Sequence, residues 1–161
     1  MSDEKGKREL LRHTVATLAY RGGKALGGAP AEFAGFRAKD GSRTAGAILA
    51  HICDLLDWAL SLAGGAQAWR DSTPDAWERD VQRFFDALGR FDARLASDAA
   101  LGCQAEQLFQ GPIADGLTHV GQIALLRRLA GSPVRGENYY KADIVSGRVG
   151  ASQTPPRREF D

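Results

Sequence analysis

The chain carries only two cysteines in 161 residues, Cys53 and Cys103, far apart and in no CxxC pair. That excludes a cysteine-based zinc site and argues against a structural disulfide, leaving two reduced, inert thiols as the default. An excess of positive charge is also missing. Lys and Arg total 21 against 20 Asp and Glu, so nothing marks a nucleic-acid surface. No apolar run reads as long enough to cross a membrane, and the N-terminus, MSDEKGKRELL, is polar. A cytoplasmic chain with neither membrane nor nucleic-acid partner is expected. Histidine is scarce as well: His13, His51 and His119 are the only imidazoles available for chemistry.

What the chain does have is helical periodicity. Its 25% charged and 43% hydrophobic residues are the balance of an ordinary globular domain, and its length suffices for one core. A first helix is read from about Asp3 to Leu26 on the stripe Leu11, Val15 and Leu18, ended by Gly27-Gly28 and Pro30. Gly22 and Gly23 weaken its last turn. His13, Thr17, Tyr20 and Lys24 form a neighbouring stripe that can border a pocket. Thr44 caps a second helix, TAGAILAHICDLLDWALSLAGG, with His51 on the line His51, Leu55, Trp58, Leu62. Thr73-Pro74-Asp75 reads as the start of a third helix, followed by an amphipathic stripe from Trp77 to Leu95. Phe33 and Phe36, in the connector before Thr44, read as rings that pack that loop onto the bundle.

The last helix organises the rest. GPIADGLTHVGQIALLRRLAG, residues 111–131, is read as one helix with Pro112 at its first position and Gly131 just past its end. Ile113, Leu117, Val120 and Ala124 form its apolar stripe. Beside them lie Asp115, His119 and Gln122. A carboxylate and an imidazole four residues apart stand one turn above the other, so both can reach one ion. After Gly131 the helical pattern stops. Residues 132–161 are read as a non-helical extension wrapping back on the bundle through Tyr139, Tyr140, Ile144 and Val149.

The stretches ILAHICDLLDW and DGLTHVGQIALLRRLAG resemble the two signature helices of the DinB/YfiT-like superfamily. The resemblance covers about Leu10 to Gly131 and implies an all-α four-helix bundle, often dimeric, with a divalent metal near one end of the bundle. His51 stands at the position of the first ligand, and His119 precedes the Gly121-Gln122 pair as the last ligand does. The third position holds Asp115 where the family pattern has histidine. The resemblance therefore implies either a two-histidine, one-carboxylate site for zinc or nickel, or a decayed one. Members with known activity use a metal to activate a low-molecular-weight thiol. Two readings follow: a metal-dependent transferase or hydrolase acting on a small molecule, with His51, Asp115 and His119 as ligands, or a non-catalytic bundle that binds a small ligand or partner. His13 reads as a partly exposed imidazole outside the site. A homodimer is expected, with Trp58, Trp69 and the tyrosine pair as aromatic surface for it.

Overall fold

The periodic stretches become helices, and a computed structural model describes residues 2–161. Helix α1 spans Ser2–Leu26, α2 Ala45–Ala63 and α3 Trp77–Ala96. A final helical run joins α4 (Ala105–Leu108), a π turn (Phe109–Ile113) and α5 (Ala114–Leu129). Thr44 caps α2 as its residue type predicts, its hydroxyl accepting the Ala47 N–H at 3.1 Å. Gly131 follows α5 at φ +82, the left-handed conformation that costs a glycine nothing.

Helices α1 and α2 each pack against both α3 and α5, so α1 and α2 sit on a diagonal of an all-helical bundle. Directions follow from the pairs that meet. Arg12 bonds Asp92 while Gly22 lies on Phe84, so α1 and α3 run antiparallel. Cys53 donates to the Asp80 carbonyl and Arg94 to that of Ala63, so α2 and α3 run parallel. Gly116 lies on Leu18, and Arg127 donates to the carbonyls of Ala25 and Gly27 where α1 ends, so α1 and α5 are parallel too. The core between them is filled by Leu18, Ile52, Phe84, Phe91, Ile113 and Ile123, none of which is exposed. Phe33 is buried edge-on against Trp77, holding its connector to the bundle.

Helix α1 runs to Leu26 as read, and Gly22 within it is a packing device: a Cβ there would stand 2.4 Å from Phe84 Cζ, so only glycine admits the ring. Four expectations about the helices are corrected. Helix α3 starts at Trp77 rather than at Pro74, with Ala76 as an N-cap that offers no side-chain bond. Residues 72–75 are drawn off instead, Ser72 onto Asp54 and the Asp75 N–H onto the buried Asp80 carboxylate. The last helix begins before Gly111, and Pro112 lies inside it. Proline has no N–H for the ordinary i→i−4 bond, and the wide turn absorbs the defect. The buried stripe of α5 is Gly116, Val120, Ile123 and Arg127, leaving Leu117 and Ala124 half-buried. Finally, α2 is long and apolar enough on length and composition to cross a membrane. Most of it is buried inside the bundle, which a core helix also requires.

The C-terminal extension returns as two short antiparallel strands, β1 (Gly136–Glu137) and β2 (Glu159–Phe160). Glu137 buries its carboxylate against α1, accepting from Tyr20 at 2.6 Å and from Lys24 at 2.8 Å. Burial and that carboxylate push the Tyr20 phenol well above its ordinary value, so Tyr20 serves as a fixed donor. Val149 is buried and Ile144 packs on the core, while Tyr139 sits edge-on to Tyr20. Tyr140 is 95% exposed and anchors nothing, because Tyr139 takes the inward position of their shared 3-10 turn.

One ion cluster fixes the parallel pair. Asp54, buried on α2, accepts from the Ser72 N–H, the Ser72 hydroxyl and Arg83 of α3, and Arg83 also reaches Asp57 at 2.8 Å. Burial alone would raise the Asp54 pKa, but these donors outweigh it and hold the carboxyl below the usual range. A depressed folded pKa means the contribution is complete above the unfolded value and is lost as pH falls through the folded one. Asp54→Asn is expected to cost about 3 kcal/mol at neutral pH, roughly 6–12 °C in Tm. Thermal melts followed by circular dichroism should show that gap narrowing as pH is lowered from about 4.

Candidate metal centre

His51 lies two turns into α2, on the line that faces α5. Asp115 and His119 lie one turn apart on α5, facing back. Because Trp58 of α2 stands against Gly111 while His51 stands against His119, the two helices run antiparallel along this seam. His51 Nε2 is 3.8 Å from one Asp115 oxygen, and His119 Nε2 is 3.5 Å from the other. One ligand atom from each of the three residues lies within 4.8 Å of the others. Two ligands of a tetrahedral ion at bond lengths of ~2.1 Å stand about 3.4 Å apart, so this group can hold a divalent metal after small side-chain rotations.

The electrostatics suit a ligand set. His119 Nδ1 lies 2.8 Å from Gln122 Oε1; with Nδ1–H donating to that oxygen, Nε2 is the atom left to face an ion beside Asp115. Burial pushes the His51 pKa below its ordinary value. The neighbouring His119 and Arg43 add to this, and Asp115 opposes it. His51 is therefore neutral at pH 7, the form that binds a metal. Asp115 remains about half exposed, at 47% of its side chain, so the group opens to solvent on one side.

Trp69 is the residue that periodicity missed. It lies in the connector between α2 and α3, and its ring stands 5.7 Å from His51 and 5.8 Å from Trp58. Its N–H is donated to Asp71, and Ser61 holds the connector at Ala68. The two rings pack edge-on to each other and Trp69 edge-on to His51, while Trp69 keeps 43% of its surface exposed. The only advance signal was a tryptophan in an otherwise polar, non-helical stretch. The Trp58 N–H is buried with no acceptor among the described residues. Beside Asp115, Leu55, Trp58, Gln110, Gly111, Ala114 and Thr118 line a shallow cleft.

His13 is exposed on α1 and takes no part in the group. Burial pushes the Cys53 thiol up to about 12 and raises that of Cys103, so neither offers a thiolate at neutral pH. Tyr20 and Lys24, from the stripe that could border a pocket, are both occupied by Glu137.

Fold and site together define an all-helical bundle with a His-Asp-His group able to hold a metal ion. No family model, no curated protein and no solved structure matches the chain, so its chemistry rests on this geometry.

An NMR titration should find the His51 imidazole titrating below the ordinary histidine value of ~6.5. In Trp69→Ala, which readmits water, its midpoint should move up toward that value. An unshifted wild-type midpoint would show that the ring is not desolvated.

Proposed function

We propose that this chain is a metal-dependent enzyme of the DinB/YfiT-like kind, in which His51, Asp115 and His119 hold one divalent metal. The observation that carries the reading is the convergence of two imidazoles and one carboxylate from two facing helices, their ligand atoms within 4.8 Å of one another. Zinc or nickel suits two imidazole nitrogens and an oxygen, and three protein ligands leave positions open for a reactant. A metal bound there supplies Lewis acidity and lowers the pKa of a neighbouring thiol or water. The protein's own part is to orient that group. Gln122 fixes the His119 ring, Trp69 limits water at His51, and the cleft beside Asp115 receives a small molecule. A low-molecular-weight thiol is the substrate class that goes with the family reading. A cytoplasmic homodimer belongs to it as well, and light scattering at high micromolar concentration should return twice the chain mass.

The test is elemental analysis of untagged protein followed by titration calorimetry with zinc and nickel. His119→Ala should lose the metal, since it removes one of three ligands. Asp115→Asn keeps an oxygen but removes the charge, so affinity should fall while the thermal melt stays put. Gln122→Leu should weaken binding by about 10–100-fold through the His119 ring alone. Equal, weak binding in wild type and all variants would overturn the metal reading. The non-catalytic ligand-binding bundle would then stand. That second reading draws on Asp115 itself, a carboxylate about half exposed to water, which needs no metal to stay solvated.

A further inference from the structure

A cavity of about 370 Å³ lies away from the triad, between α1 and α4. Leu10 and Leu11 of α1 form one wall, and Ala105 and Phe109 the other. Leu10 is 64% exposed and Phe109 47%, two large apolar side chains held in water at the lips of one slot. Single exposed leucines are ordinary; here two large apolar side chains flank one apolar cavity. The volume falls within the range of about 300–1,000 Å³ typical of small-molecule pockets.

The surroundings decide what fits. Lys5, Lys7, Glu4 and Glu9 surround Leu10 on α1, so the apolar surface is one slot in charged ground. A stable protein partner needs about 800 Å² on each side with an apolar centre, whereas a small molecule needs only the slot itself. At one end of the slot Lys7 bonds both Asp3 and Glu106, each at 3.0 Å. One ammonium between two carboxylates leaves that end with a negative excess, which repels an anionic head group. The Thr14 hydroxyl is spent on the Leu11 carbonyl. The Gln110 side-chain amide lines the cavity and has no protein partner among the described residues, so it is free to meet an uncharged polar group.

We propose that this cavity binds a neutral amphiphile, with an apolar body between Leu10 and Phe109 and one uncharged hydrogen-bonding end at Gln110. The slot contains no member of the triad, although Gln110 also borders the cleft beside Asp115, and the proposal stands whether or not the triad holds a metal.

Calorimetry with octan-1-ol and octanoate tests it on the full chain. Octan-1-ol should bind saturably, one per chain, with octanoate weaker on the order of tenfold or more because its charge would be desolvated beside carboxylates. Leu10→Glu, at an exposed position that leaves the melt unchanged, should weaken octan-1-ol to a similar degree. Leu125→Glu, at an exposed leucine on α5, should change nothing. Absence of saturable binding, octanoate as tight as octan-1-ol, or equal losses in both variants would overturn the proposal. So would a doubled mass in light scattering that Leu10→Glu halves, since a second copy would then cover the slot.

Discussion

The parallel packing of α2 on α3 is the constraint from which the rest of the structure follows. Parallel neighbours cannot be joined by a tight turn, because the chain must first travel back the length of a helix, about 28 Å for nineteen residues. Residues 64–76 make that journey along the outside of α2, bonded in turn to Ser61 and Asp54. The Arg83 guanidinium clamps the same neighbourhood from α3, holding Asp54, Asp57 and Ser72 at once. Trp69 reaches His51 as a by-product of this route. A bundle of strictly antiparallel neighbours would have had no strand of chain there, and His51 would face water.

The other consequence is rigidity. All three members of the triad sit on helices, with positions set by core residues such as Ile52, Val120 and Ile123 directly beside them. Two imidazoles and one carboxylate carry a charge of −1, so a divalent ion would leave the group at +1, where three imidazoles would leave it at +2. The carboxylate would thus trade Lewis acidity for tighter retention of an ion, and it opens the group to solvent, because Asp115 is the member that is half exposed.

Much of this was legible in the sequence, for physical reasons that differ from part to part. The α3 stripe from Trp77 to Leu95 was readable because each buried ring falls at helical spacing, and Thr44 because an N-cap is a local bond. The association of Asp115 with His119 was fixed by a four-residue spacing that any helix honours. Placing His51 beside them required knowing which helices are neighbours, and periodicity does not carry that; the family resemblance did. The place of Trp69 beside His51, the Asp54–Arg83 clamp and the role of Glu137 were invisible because each acts across long sequence separations from a polar or non-periodic segment. The start of α3 failed for a related reason. Thr73 and Pro74 have the local chemistry of a helix start, but Asp54 and Asp80 compete for the same backbone and win.

The π turn at Phe109–Ile113 sets the phase of the helix that follows it. Each residue of an α-helix advances the side-chain direction by about 100°, so a turn holding one residue more than usual rotates everything downstream by that amount. Upstream of it, Ala105 and Leu108 face the core; downstream, the core face is Gly116, Val120 and Ile123, and the flank beside that face carries Asp115 and His119. Removing a single residue from 109–113 would straighten the helix and keep its length nearly the same. It would also swing the carboxylate and imidazole a quarter turn away from α2, dispersing the triad without altering one of its members. The spacing between Leu108 and Ala114 is thus as much a part of the site as the residues that compose it.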